Sequence, residues 1–359
     1  MNENELRNRL TSLARSIRRP TVGSFDVQKQ DKILFLGGTV TRKRIILSTS
    51  GCQVKTCLMC PFPNETAAGY DGKNIIEQFD ACFVNDSIDC YDMITLFCNG
   101  NFFNDGEIAP IARQYIFNRI KTSKARFVVV ESLPQYFTER QAKLASEQIG
   151  DKKLCLFMGL QSSNDQVRRL CVNTTTTQKN FENAVRLLQE RSWIPMAFLM
   201  IKPPFLTEQE AIDDTVNSTR YLASLGVDYT TLCPNRVAPY TVADLVSKAG
   251  QYSVPWIWSV VDVLKQTHDI VGVTPMVNTS ELKPEINPDS ICCTNRCHEC
   301  NVHLIAAIER YLFTRDITLL DDMKCDCYEH YLRFKQEEQT RWGNMTLPER
   351  VELFLSGRI

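Results

Sequence analysis

Continuous apolar runs alternate with amphipathic stretches through the first two-thirds of the chain. The runs are residues 44–47, 93–98, 127–130, 154–158, 196–201 and 229–233. Each is short and rich in β-branched, aromatic or long aliphatic residues, the pattern of strands buried on both faces of a parallel sheet. Between them, residues 138–149, 178–190 and 207–225 carry apolar side chains at helical spacing. Thr207 and Glu210 stand at capping-box spacing, and Gly226 ends that helix. Six strands with helical connections predict an α/β fold with parallel pairing. A count short of eight favours an open or partial barrel over a flat doubly wound sheet.

After Val237 the pattern changes. Residues 274–288, with several Pro and Asn, read as a linker or long loop. Beyond them lie clustered cysteines and helical segments at 302–313 and 328–339. The expected organisation is a helical N-terminal extension (1–40), a barrel (41–240) and a cysteine-rich, mainly helical C-terminal appendage (241–359).

Composition narrows the class. The 359 residues include 41 Lys and Arg against 42 Asp and Glu, a net charge of −1. A chain coated in positive charge for nonspecific nucleic-acid binding is excluded. With 43% apolar residues a large core is available, so global disorder is excluded as well. No apolar run approaches the ~18 residues of a membrane span, and residues 1–19 carry no apolar signal region. A soluble, cytoplasmic protein is the expectation.

Fifteen cysteines are unusual for such a chain. In a reducing compartment, clustered cysteines bind metal or do chemistry more often than they form disulfides. Cys52-x4-Cys57-x2-Cys60 directly follows the first expected strand. Three thiolates can hold three irons of a [4Fe–4S] cluster and leave the fourth iron open to a ligand. Zinc is the alternative, but it needs a fourth ligand, and residues 51–72 offer no His and no further Cys. Buried thiols without metal are the third reading of the spacing, and the one that suits Cys82, Cys90, Cys98, Cys155, Cys171 and Cys233.

Six stretches, in order, carry a resemblance: SGCQVKTCLMCPFPNE, FCNGNFFNDGEI, VVVES, MGLQSSNDQVRRLCVNTTTT, FLMIKPPFLTEQEAIDD and YSVPWIWSVV. Together with paired cysteines near the end, they resemble the radical S-adenosylmethionine (SAM) superfamily, and within it the archaeosine synthase radical SAM subunit and its relatives. The likeness runs from about Arg44 to about Tyr331. It implies a partial (β/α)6 barrel with a [4Fe–4S] cluster in the loop after its first strand, and SAM bound through its methionine end to the open iron. It also implies reductive cleavage of a SAM C–S bond, with an electron donor such as ferredoxin or flavodoxin. The family's usual spacing is x3 then x2, whereas this chain has x4 then x2. A 5′-deoxyadenosyl radical is the default product, and aminocarboxypropyl transfer is the alternative.

Residue by residue, the resemblance makes Cys52, Cys57 and Cys60 the cluster ligands. It places Asn99, Gly100 and Asn101 at the SAM amine, and Glu131 at the ribose hydroxyls or methionyl end. Gln161 stands where relatives often carry Glu. Arg168, or its neighbour Arg169, and Lys202 are candidates for anionic groups of the cofactor. Asn235 is a candidate near the adenine. For each of these, an ordinary structural role is the competing interpretation.

Cys297-x2-Cys300 and Cys325-x-Cys327 could supply four thiolates to a second site, either structural zinc or an auxiliary cluster, with His298, His303, Cys292 and Cys293 as spare ligands. Tyr252, Trp256 and Trp258 read as packing anchors. The basic N-terminal segment (Arg7, Arg9, Arg15, Arg18, Arg19) reads as a solvated face. The functional expectation is a radical SAM lyase or transferase. The resemblance points to a lyase step on a modified 7-deazaguanine in tRNA, with a partner subunit supplying basic surface. The alternatives are tailoring of a small molecule or peptide, and a zinc-binding module for RNA or protein.

Overall fold

In the computed structural model, described over residues 1–17, 27–64, 71–283, 289–292 and 297–357, one sheet organises the chain. Its strands are β1 (Val27–Phe35), β2 (Gly38–Ile46), β3 (Met93–Phe97), β4 (Phe127–Glu131), β5 (Lys153–Gln161), β6 (Ile194–Ile201), β7 (Tyr229–Pro234) and β8 (Thr274–Val277). They lie side by side in sequence order. β1 and β2 form an antiparallel hairpin, and every later neighbour pairs in parallel. The fold is the expected partial barrel of α/β class, with two corrections. The 274–288 stretch contributes β8 rather than a loop alone, and the region expected to be a helical extension contains β1.

Helices connect the strands: α1 (Glu3–Ser16), α2 (Gly72–Ala81), α3 (Pro110–Lys121), α4 (Glu139–Ile149), α5 (Gln178–Gln189), α6 (Glu208–Ser224), α7 (Val242–Lys248) and α8 (Ile257–Thr267). After β8 come α9 (His298–Thr314), α10 (Thr318–Asp321), α11 (Cys327–Trp342) and α12 (Leu347–Ser356). The capping box read from Thr207 and Glu210 opens α6. Residues 167–172, following the helical turn after β5, wind as a π-helix and end at Asn173 in the left-handed region, φ 56°.

Strand alternation sorts the side chains. Ile45, Ile94, Leu96, Val128, Val130, Leu154, Leu156, Ala197 and Leu199 face the helices and join the main core. That core continues into Ile308, Tyr311, Leu320 and Tyr331, so the C-terminal helices share it rather than packing separately. On the other face, Val40, Met93, Phe127, Val129, Cys155, Ile194 and Met196 fill the lower lumen. Phe35, at the tip of the β1–β2 hairpin, stacks on Tyr229 at 5.0 Å and meets Phe127 edge-on at 5.1 Å. The Leu36 N–H donates to the Tyr229 hydroxyl at 2.8 Å, fastening the hairpin across the base of the lumen. Among the described residues no helix is long and apolar enough to cross a membrane.

The chain ends meet. α1 and α12 share a smaller core through Leu6, Leu10 and Val351. Arg7 donates to the Thr174 carbonyl and Arg9 to that of Leu355, so these two arginines of the expected solvated face are engaged within the protein. Arg18 and Arg19 lie outside the described residues.

Candidate functional site

The three cysteines sit on the segment leaving β2, at the end of the barrel where the parallel strands terminate. This is the end where barrel proteins gather their chemistry. All three are half-buried and none forms a disulfide. Backbone bonds hold the loop: Leu58 N–H donates to the Val172 carbonyl at 3.0 Å, and Ala243 N–H to that of Leu58 at 2.9 Å. Asn173 locks it further, its side chain donating to the Thr56 carbonyl while the Thr56 hydroxyl donates to the Asn173 carbonyl, both at 2.9 Å. Cys57 and Cys60 pack against Met59, Val172, Met200 and Ala243. Burial and the neighbouring Cys52 push the Cys57 thiol up to about 12. Burial and the Glu107 charge raise Cys52. The three sulfurs do not gather within 4.8 Å of one another, as ligands of one ion would. A soft, thiol-only donor set in an apolar pocket, with its sulfurs spread apart, fits an iron–sulfur cluster better than a single zinc ion.

Glu107 is the organising group of this mouth, and the sequence gives no pattern that singles it out. It is buried, and its carboxylate accepts from the Gln53 N–H at 3.1 Å, the Asn101 N–H at 2.5 Å, Asn101 Nδ2 at 2.8 Å and Asn104 Nδ2 at 2.8 Å. It thus ties the cysteine loop to the segment after β3. A Cβ on Gly100 would run into this carboxylate, which is why glycine is needed there.

The residues named for SAM divide into two groups. Asn99, with φ 49°, and Gly100 lie in the turn after β3. Glu131 accepts from the Cys98 N–H at 2.8 Å and also bonds the Asn99 and Gly100 amides. It shapes this turn, and burial pushes its carboxyl up to about 7 despite those amide bonds. Gln161 lies at the β5 bulge with φ 68°, and its Oε1 is buried without a partner.

The other four, Asn101, Arg168, Lys202 and Asn235, turn inward and bond to partners within the protein. Asn101 is only 1% exposed, its Nδ2 given to Glu107 and Cys52 and its Oδ1 accepting from Leu133 N–H. Arg168 is buried in the π-helix, donating to the Ser162 carbonyl at 2.7 Å and to Asp165 at 3.0 Å. Its neighbour Arg169 pairs with Glu3. Lys202 is fully buried between Glu208 at 2.8 Å and Glu338 at 2.9 Å. Asn235 is buried and donates to the Tyr252 hydroxyl at 2.6 Å, which donates on to the Lys202 carbonyl at 2.7 Å. Internal partners already hold these groups, apart from the Arg168 Nε, which is buried without one, so a ligand at the bonded atoms would have to displace them.

A second thiol group lies in the C-terminal helices. The sulfurs of Cys297, Cys325 and Cys327 all fall within 4.8 Å of one another, with Cys297 and Cys325 at 3.9 Å. Cys297 stands at the residue preceding α9 and Cys327 is the first residue of α11. Helix N-termini favour thiolates. The Trp258 indole N–H donates to Cys327 Sγ at 3.1 Å. The side chains of Cys300 and His298, and all of Cys293, lie outside the described residues. Cys292 is buried and His303 exposed.

No protein-family model matches the chain. It is 28% identical over 293 residues to the uncharacterized protein MJ0550 of Methanocaldococcus jannaschii, covering 79% of each chain. It is 23% identical over 312 residues to archaeosine synthase subunit beta of Methanosarcina acetivorans, covering 84% of this chain and 87% of that one. The resemblance read from the motifs is borne out. The archaeosine synthase subunit beta of Thermococcus kodakarensis aligns at 23% identity over 84% of this chain and 94% of its own length. The likeness to these archaeosine synthase subunits therefore spans most of the chain. Among solved structures, a point mutant of spore photoproduct lyase superposes with a TM-score of 0.47 at 13% identity, covering 77% of this chain and 84% of that one. An archaeal Elp3 from Methanocaldococcus infernus gives a TM-score of 0.42 at 18% identity, and the chain spans 57% of itself and 50% of that protein in the match.

Proposed function

We propose that the protein is a radical SAM enzyme acting on a modified 7-deazaguanine in tRNA, together with a partner subunit. The observation that carries this reading is the Cys52, Cys57 and Cys60 loop set at the strand-end mouth of a partial barrel whose lumen is floored from below. Cys52, Cys57 and Cys60 would hold the [4Fe–4S] cluster, which when loaded supplies one electron for cleavage of a SAM C–S bond. The chain's own residues do the rest. The Asn99–Gly100 turn, shaped by Glu131, presents backbone to the SAM amine, and Gln161 offers an unpartnered acceptor at the rim. Glu107 keeps the cysteine loop and this turn in register. The aromatic lumen excludes water from a reactive intermediate.

Similarity to archaeosine synthase subunits supports the tRNA substrate and the partner, and a lyase step is the reaction we assign. A net charge of −1 fits a subunit that leaves most phosphate contacts to its partner. The C-terminal thiols, with Cys300, would hold zinc as a closed structural site; an auxiliary cluster is the second assignment.

The test is anaerobic iron–sulfur reconstitution followed by reduction with dithionite in the presence of SAM. Wild-type protein is expected to bind iron and sulfide through the triplet and to release 5′-deoxyadenosine and methionine. The Cys52→Ala, Cys57→Ala, Cys60→Ala triple variant should do neither while remaining folded. Methylthioadenosine as product would replace the lyase reading with aminocarboxypropyl transfer. Unchanged cleavage by the triple variant would remove the radical SAM reading.

A further inference from the structure

The lumen above its apolar floor is not lined like a hydrophobic core. Along β2, Val40 joins the lumen cluster while Ile45 and Leu47 join the sheet–helix core, so Arg42 and Arg44 project into the lumen. By the same alternation, Met93 places Thr95 and Phe97 on the lumen face, and Met196 places Phe198 there.

The two arginines are not equivalent. Arg42 takes both oxygens of Asp31, Nε to Oδ1 at 2.8 Å and a terminal nitrogen to Oδ2 at 2.6 Å. The Arg44 backbone is paired in the sheet, but its side chain has no hydrogen bond and no carboxylate within ion-pair distance among the described residues. Burial and the Arg42 charge hold its pKa below the usual value, opposed only by Asp31, already committed to Arg42. Thr95, the Cα partner of Arg44 across the β2–β3 ladder, is 1% exposed and its hydroxyl is buried with no partner. A half-buried guanidinium and an orphaned hydroxyl in adjacent register positions are costly unless a ligand completes them. One layer nearer the mouth, Phe157 and Phe198 stack at 4.6 Å with an interplanar angle of 15°, and Phe97 lies 6.4 Å from Phe157. These three rings are half-buried rather than sealed.

We propose that Arg44 and Thr95 form the recognition end of a lumenal subsite for a flat heterocycle that bears an oxygen acceptor on its edge. Its ring packs against the aromatic wall of Phe97, Phe157 and Phe198. The guanidinium fork donates to the edge oxygen, with the Thr95 hydroxyl beside it, and the aromatic wall supplies stacking that is indifferent to the ring's substituents. Discrimination therefore resides at Arg44, and general affinity in the phenylalanines. This rests on the reading of the lumen as the reaction chamber and names the class of group that enters it. SAM also carries a flat ring and a carboxylate, so the experiment separates the two occupants.

The test is calorimetric titration of the full chain with 7-deazaguanosine, which has an edge carbonyl, with 7-deazaadenosine, which has an amine there, and with SAM. Wild type is expected to prefer the carbonyl ring by about tenfold, the scale of one such contact. Arg44→Gln should lose that preference without weakening the amino ring, and Arg44→Lys should keep part of it. Phe198→Leu should weaken both rings together. Circular dichroism and thermal melting check that each variant is folded. Equal binding of the carbonyl ring by wild type and Arg44→Gln, or no binding of either ring by wild type, overturns the proposal. So does a loss confined to SAM, which would assign Arg44 to the cofactor. The two ring titrations do not depend on cluster loading, so their failure is distinct from failure of SAM cleavage; the SAM titration is run on reconstituted protein.

Discussion

Lys202 and Glu338, 136 residues apart, are joined at 2.9 Å inside the protein, and this contact fastens α11 to the end of strand β6. The second Glu338 oxygen accepts the Glu208 N–H at 2.6 Å, satisfying one of the open donors at the start of α6. Glu338→Ala removes both interactions and leaves Lys202 with Glu208 and a longer bond to the Ser253 hydroxyl at 3.4 Å. Loss of a buried charged partner and a cap predicts a cost of about 3 kcal/mol. Glu338→Gln, which keeps an acceptor for the N–H, should cost less. Urea denaturation of the two variants measures the difference.

Arg350 on α12 donates to both oxygens of Glu210, at 2.6 and 2.7 Å. Burial acts to raise the Glu210 carboxyl, but the Arg350 and Thr207 bonds and the guanidinium charge outweigh it and hold it below the ordinary value. A carboxyl depressed by folding stabilises above its unfolded pKa and loses that contribution as pH falls through its folded one. Arg350→Ala should therefore lower stability by about 2 kcal/mol at neutral pH. The gap to wild type should shrink below about pH 4. Thermal melts across that range read it directly.

Asn173 combines a left-handed backbone with two bonds to Thr56. Asn173→Gly keeps the permitted backbone and loses the side-chain bond, at a cost of about 1 kcal/mol. Asn173→Ala adds strain and should cost about 2–3 kcal/mol. Because the bond anchors the cysteine loop, both variants are expected to retain less iron after reconstitution, and Ala less than Gly. Iron analysis alongside melting checks the order.

The thiols of Cys297, Cys325 and Cys327 bridge α9 and α11. Cys297→Ala or Cys325→Ala should remove one equivalent of metal and lower the melting temperature, with the spectrum of the mouth cluster unaffected. A chelator that strips this metal from wild type should reproduce the shift. Metal analysis and calorimetry on the same samples provide the check; unchanged values in both would show the thiols to be unmetallated.

The legible parts of this molecule were those in which neighbouring residues decide the outcome. The buried strands announced themselves as apolar runs, and α6 by its Thr207–Glu210 box. β1 escaped because its lumen-facing positions include Asp31 as well as Ile33 and Phe35, and its other face is largely exposed polar residues. β8 escaped because it has four residues, one of them proline. Within the site the cysteine spacing was readable, but the fate of Lys202 was not, since one of its partners comes from α11. Glu107 carries no spacing signal, because its role arises from donors that converge on it only after folding. Arg44 was hidden at the start of an apolar run, where a charge reads as flanking a strand rather than lining its inner face.

The hairpin carrying Phe35 has a consequence for any macromolecular substrate. With its tip stacked on Tyr229 and Phe127, the barrel is a cul-de-sac rather than a tunnel. A polynucleotide cannot be drawn through it from one end to the other. Only a single everted residue, swung out of its stack and inserted through the mouth, reaches the inner wall, and the altered base must withdraw by the way it entered. A nucleic acid served by such a vessel would offer it one nucleotide at a time.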